Sequence, residues 1–127
     1  MHDELIERYI ACWNEDDAAR RRDLIATTFT EGAQYCDPML QGEGHAGIEA
    51  LIAAAQAQFP GLRFRRRGGA DAHHDRLRFA WELGPEGAPE GAPEGAAAIA
   101  GGTDMVVLAA DGRFAAVTGF IDFAPQG

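Results

Sequence analysis

Leu77-Arg78-Phe79-Ala80-Trp81-Glu82-Leu83 is the clearest alternating run in the chain. Large apolar side chains at 77, 79, 81 and 83 fall on one face of an extended strand, and Arg78, Ala80 and Glu82 fall on the other. Downstream, Ile99 to Ala109 and Arg113 to Phe123 read as two further strands joined at Asp111-Gly112, a strong hairpin signal. Upstream, Leu62 to Arg67 is a strand that resumes after Gly68-Gly69, a pair suited to a bulge. Together these make an antiparallel meander.

The first half has a different period. Between Asp3 and Trp13, Leu5, Ile6, Tyr9, Ile10, Cys12 and Trp13 recur at spacings of three and four, the mark of a helix with one buried face. Asn14-Glu15-Asp16-Asp17 breaks it and caps a second helix, which runs from Ala18 through Leu24, Ile25, Thr28 and Phe29 and ends before Gly32. Ala33 to Asp37 is a strand with Tyr35 and Asp37 on one face and Cys36 on the other, closed by Pro38, which lacks a ladder donor. After Gly42, Gly44 and Gly47, Ile48 to Phe59 forms a third helix stopped by Pro60-Gly61. Helix, helix, strand, helix and meander make an α+β chain with helices over one sheet face.

With 127 residues, 46% of them hydrophobic, residues 1–127 are expected to form one domain with a single core. A formal net charge of -9 argues against a grip on nucleic-acid backbones, which depends on clustered cations. Two basic runs, Arg20-Arg21-Arg22 and Arg63 with Arg65-Arg66-Arg67, cut against that balance. They read as a solvated helix face and a strand whose arginines pair with carboxylates, with a local anion site as the rival. The acidic Met1-His2-Asp3-Glu4 does not resemble a secretory signal and no apolar run has spanning length, so no membrane contact and a cytoplasmic location are expected. Cys12 and Cys36 are expected to be unbridged thiols. Pro85-Glu86-Gly87-Ala88 recurs twice more through 96, and a proline every fourth residue makes it an extended hairpin loop, read as a tolerated insertion rather than a lid.

Three groups suggest chemistry. Tyr9, Asp37 and Asp104 each lie on an element that otherwise reads as core, where a phenol or carboxyl is costly without a partner or a task. Strand parity groups Asp104 with Val106 and Leu108. Each residue also has a structural reading: Asp37 before proline can start a turn, Tyr9 can be a core tyrosine with its hydroxyl satisfied, and Asp104 can be a buried carboxyl paired to an arginine.

In order and spacing, Arg8-Tyr9-Ile10, Cys36-Asp37-Pro38, and Asp104 with Asp111-Gly112-Arg113 resemble the phenol helix, general-base segment and second carboxyl of the ketosteroid isomerases. These belong with the SnoaL-like polyketide cyclases and scytalone dehydratases in the nuclear transport factor 2-like superfamily. The resemblance covers nearly the whole chain apart from the repeat. It implies a cone-shaped α+β fold, three amino-terminal helices packed on a curved, mostly antiparallel mixed sheet. It also implies roles: Asp37 as the base beside a ketone, with Tyr9 and a neutral Asp104 donating hydrogen bonds to the dienolate oxygen, a pattern for which ketosteroid isomerase is the standard illustration. Where the isomerases carry further tyrosines behind the phenol, this chain has Phe29 and Ile52.

Trp13, Phe29, Tyr35, Met39, Phe59, Phe79, Trp81, Val117 and Ile121 are the expected walls of an apolar pocket for a small hydrophobic carbonyl ligand, although any core needs such residues. His73 and His74 are adjacent, so on a strand they point to opposite faces and do not chelate a metal together. His74 is the candidate to face the ligand, and a solvated turn is its alternative. No metal and no cofactor are expected, since Gly42, Gly44 and Gly47 lack dinucleotide-site spacing. A homodimer through the outer sheet face is expected. Three functions remain open on the residues: acid–base enzyme (isomerase, cyclase or dehydratase), non-catalytic binder of an apolar ligand, or structural dimerisation domain.

Overall fold

The computed structural model describes residues 2–85 and 98–124, so the repeat from 86 to 96 lies outside the described residues. Three helices, α1 (Asp3–Asn14), α2 (Ala18–Thr28) and α3 (Gly44–Gln58), pack against a six-stranded sheet. Its strands are β1 (Phe29–Cys36), β2 (Gln41–Glu43), β3 (Leu62–His73), β4 (Arg76–Pro85), β5 (Ala100–Leu108) and β6 (Phe114–Phe123), in spatial order β2-β1-β6-β5-β4-β3. Only β1 and β6 run parallel among the paired strands; the others pair antiparallel, which makes the sheet mixed, as expected.

The α1–α2 break forms as its residues dictate: Asp17 caps α2 by accepting from the Arg20 amide at 2.9 Å. Two boundaries differ from the periodicity. α2 ends at Thr28 and Phe29 already belongs to β1, four residues ahead of the expected start at Ala33. Phe29 and Thr30 favour extended backbone, and the pairing of Phe29 with Phe114 fixes the strand there despite a register shift before Gln34. α3 begins at Gly44 rather than Ile48, directly after the unforeseen short strand β2. At Gly42 in β2 a Cβ would lie 2.7 Å from Leu51 Cδ2 and 3.0 Å from the Gly47 carbonyl oxygen, so a glycine lets this edge lie close against α3.

The turn signals hold. The register of β3 on β4 shifts between Arg67 and Ala70, where Gly68 has φ +71°, and Gly112 turns the β5–β6 hairpin at φ +88°. Between helices and sheet, Ile6, Ile25, Phe29, Ile48, Phe79 and Phe114 are fully buried.

The arginine runs need one correction. Arg20 and Arg22 are exposed, but Arg21 is buried. Its Nε donates to Glu49 Oε2 at 2.7 Å and its Nη1 to Gln56 Oε1 at 2.7 Å and the Glu15 carbonyl at 2.8 Å, tying α2 to α3. A helix carrying an arginine on each of three successive positions must turn one toward its neighbours, and a ready set of acceptors makes burial tolerable. The β3 arginines pair as expected: Arg63 with Asp16, Arg65 with the buried Glu82, Arg66 with Asp3 and Arg67 with Asp122. Cys12 and Cys36 are both free thiols. On the outer face of β5 and β6, Met105 and Phe120 remain about half exposed, at 50% and 52%. Among the described residues no helix is long and apolar enough to cross a membrane.

Candidate active site

The strand order brings the two sequence-distant carboxylates together. Cys36 at the end of β1 pairs with Thr118 of β6, so Asp37 emerges beside Gly119; on the other side of β6, Gly119 pairs with Asp104 of β5. A Cβ at Gly119 would lie 2.9 Å from Asp104 Oδ1, 3.1 Å from Asp37 Cβ and 3.6 Å from the Tyr35 hydroxyl oxygen. The two aspartates and a phenol therefore converge where the sheet presents no side chain of its own.

Asp104 is 2% exposed. The Tyr9 hydroxyl donates to its Oδ2 at 2.7 Å and Trp81 Nε1 donates to its Oδ1 at 3.0 Å. Neither partner is an arginine, which removes the ion-pair reading. Burial raises the Asp104 pKa from 3.8 to about 6; the bonds from Tyr9 and Trp81 oppose that rise and the neighbouring Asp37 charge adds to it. A carboxyl with that pKa is mostly ionised at pH 7, and both of its oxygens accept here. In this structure Asp104 therefore accepts from a phenol and an indole, and these two bonds oppose the rise that burial imposes. Burial, and then the Asp104 charge, raise the Tyr9 phenol well above its ordinary value, so Tyr9 stays protonated.

Asp37 forms the turn that its place before proline suggests, and its side chain also reaches the cavity. Its Oδ1 accepts from the Met39 and Leu40 amides at 2.8 and 2.7 Å, an Asx turn, and its backbone N–H donates to the Leu40 carbonyl at 2.8 Å. Its Oδ2 accepts from the Tyr35 hydroxyl at 2.6 Å, and the residue lines the cavity. An ionised carboxylate offers about four lone-pair directions. Three donors occupy three of them. Tyr35 is itself buried, and burial together with the charges of Asp104 and Asp37 raises its pKa.

These groups sit on the wall of a cavity of about 140 Å³. α1 supplies Tyr9, Ile10 and Trp13; the end of α3 supplies Ala55, Gln58 and Phe59; the Asp37 turn supplies Met39 and Leu40; and Phe64, Trp81, Leu83 and Ile121 come from the sheet. Of the expected walls, Trp13, Tyr35, Met39, Phe59, Trp81 and Ile121 line it. Phe29, Phe79 and Val117 do not: they are buried in the core, where Phe29 and Phe79 pack edge-on to the Tyr9 ring at 5.8 and 5.5 Å and hold it in place. Phe29 is thus an apolar support for the phenol and not the pocket wall expected. His74 is corrected outright. It is exposed, with φ +52°, in the turn between β3 and β4, at the opposite end of β4 from Leu83, and its Nδ1 lies 3.1 Å from that of His73. A tight two-strand turn takes its tip residues away from both sheet faces. Cys12 is buried and bonded to Thr28, and its thiol is pushed up to about 11, so it is not a nucleophile near neutral pH.

Sequence reasoning took Tyr35 and Trp81 for walls and missed that each bonds a carboxylate. It missed Gly119 too, although a glycine at the inward parity of a strand, between Val117 and Ile121, is a signal of close approach.

A family model described as a SnoaL-like domain matches residues 6–117. Among solved structures, a provisionally named isomerase of the SnoaL-like family from Agrobacterium tumefaciens strain C58 is 41% identical, with 95% of this chain and 97% of that one covered and a TM-score of 0.84. A provisionally named polyketide cyclase from Sinorhizobium meliloti is 16% identical over 91% and 93% of the two chains at a TM-score of 0.64. A protein of ketosteroid isomerase-like fold from Catenulispora acidiphila, solved with trimethylamine, is 15% identical over 92% and 84% at 0.69. The last two likenesses concern the fold alone. No curated protein matches the chain.

Proposed function

This chain belongs to the SnoaL-like domain family, and from that premise we propose that it is a cofactor-free acid–base enzyme that moves a proton beside the carbonyl of a small hydrophobic compound, as an isomerase or cyclase does. One observation carries the reading. Two carboxylates, one from the turn after β1 and one from β5, converge over Gly119, each bonded to its own phenol, on the wall of an apolar cavity. A packed core has no need of such a pairing, and placing two acids together costs stability.

In the favoured arrangement Asp37 uses its remaining lone pair to take the proton next to the carbonyl. The developing enolate oxygen lies by Tyr9 and Asp104. A ring seated against Asp104 removes further solvent and raises its pKa, so that the carboxylate takes up a proton from water as the ligand binds, and it and Tyr9 then turn their protons to the enolate. A second assignment has a specific observation behind it: with a pKa of about 6, Asp104 is well matched to act as a base near neutrality, whereas Asp37 is tied by three donors. In that assignment Asp37 and Tyr35 hold the other end of the substrate. The cavity volume favours about one ring in the enclosed part, since a closed apolar cavity of about 150 Å³ takes up benzene.

The test is deuterium exchange beside the carbonyl of cyclohex-2-enone in D2O, followed by NMR, for wild type, Asp37→Asn and Asp104→Asn. Loss of exchange in Asp37→Asn supports the first assignment; full exchange there with loss in Asp104→Asn supports the second. Tight ketone binding without exchange in any form sinks the enzyme reading in favour of a ligand carrier.

A further inference from the structure

We propose that the indole N–H of Trp13 is a ligand-binding donor that receives the substrate's carbonyl oxygen, an inference that rests on the reading of the cavity as a carbonyl site. Trp13 lines the cavity and is 7% exposed, yet its Nε1 is buried without a hydrogen-bond partner. An indole nitrogen is a donor only. Leaving it unpaired in a low-dielectric site is costly, and native structures keep few such groups.

The remaining buried donors on this wall are spent. Tyr9 and Trp81 both donate to Asp104, and Tyr35 donates to Asp37. Among the described residues that line the cavity, Trp13 alone has a buried side-chain donor with no acceptor. The indole N–H is near enough to the Tyr9 hydroxyl to work against the burial that raises the phenol's pKa, but the two do not meet hydrogen-bond geometry. An oxygen held between Tyr9 and Trp13 gives the indole its acceptor and lies where the Tyr9 hydroxyl turns its proton as the enolate forms. It also fixes the ring edge against Tyr35 and Phe64, whose rings lie 5.4 Å from that of Trp13. The ligand class that follows is a single-ring compound with one exposed carbonyl or enolate oxygen. A hydrocarbon of the same shape leaves the N–H orphaned.

The experiment pairs cyclohex-2-enone with cyclohexene on the whole chain. The chain has two tryptophans, and the indole crosspeak missing from Trp13→Phe identifies Trp13 in a proton–nitrogen spectrum. The expected result is a downfield shift of that crosspeak on adding the ketone and none on adding the alkene. Trp13→Phe, which keeps the aromatic packing, is expected to bind the ketone roughly three- to tenfold more weakly with alkene affinity unchanged, the loss of one neutral hydrogen bond. Equal shifts with both probes, no ketone binding to wild type at millimolar concentration, or an unchanged ketone-to-alkene ratio in Trp13→Phe each overturns the proposal. Deuterium exchange in the same sample separates it from the enzyme reading: ketone binding that depends on the Trp13 N–H without exchange sinks catalysis alone, and exchange with the crosspeak unmoved sinks the Trp13 role alone.

Discussion

The Tyr9 hydroxyl donates to Asp104 Oδ2 at 2.7 Å across 95 residues of sequence. That bond joins the first helix to the middle of the sheet and orients the two groups that the cavity most needs to control. Because the phenol is held edge-on by Phe29 and Phe79, its oxygen has little freedom to seek another partner. The bond also sets how Asp104 responds to pH.

Asp104 has a folded pKa of about 6 against 3.8 unfolded. A raised folded pKa means that the contribution to stability is full below about pH 4, where both states are protonated, and is lost as pH rises through about 6. Two units correspond to on the order of 3 kcal/mol. Denaturant melts of wild type and Asp104→Asn across pH 4 to 7 should diverge by that amount, with the wild type losing ground as pH rises; parallel curves would mean that Asp104 ionises as freely as it does in water.

Tyr9→Phe removes a bond that lowers the Asp104 pKa. The midpoint of that stability loss should move above pH 6, and affinity for a phenolate probe, read through Trp13 and Trp81 fluorescence, should fall about tenfold or more, as expected for a hydrogen bond to a charged group. Unaltered affinity would show that the phenol takes no part in oxyanion binding.

Gly119→Ala puts a methyl 2.9 Å from Asp104 Oδ1 and 3.1 Å from Asp37 Cβ. Either carboxylate must move. Stability should drop by about 1–3 kcal/mol, the usual cost of overpacking, and deuterium exchange should fall by at least tenfold while the helices remain intact by circular dichroism. Full exchange in this variant would mean that the close approach of the two aspartates is incidental.

Met105 and Phe120 leave an apolar strip on the outer face of β5 and β6. The expected assembly is a homodimer through this face, burying about 800 Å² on each partner if it is of standard size. Light scattering should give twice the chain mass for wild type and the monomer mass for Phe120→Asp. A monomeric wild type at micromolar concentration removes the dimer.

Much of the fold was legible because burial imposes a period. The Leu77 to Leu83 alternation, the three-and-four spacing of α1, and the glycines at 68 and 112 each mark a local backbone geometry that few other sequences serve as well. Where two elements adjoin without a break, the period lost its hold: Thr28 and Phe29 continue a helical pattern, yet Phe29 pairs with Phe114 and starts a strand. His74 failed for a related reason, since strand parity is undefined at the tip of a turn.

By itself the sequence determined the element order, the α+β class and the three polar residues set into apolar surroundings, because hydrophobic periodicity and the cost of burying a polar group act along the chain. Only the tertiary structure decided what those residues do to one another. Strand order placed Asp37 and Asp104 on either side of Gly119, gave Tyr9 and Trp81 to Asp104 and Tyr35 to Asp37, and left the Trp13 N–H unpaired. Hydrogen bonding and the electric field of a neighbouring charge depend on distances of a few ångströms between residues far apart in the chain, and those distances exist only once the sheet has formed.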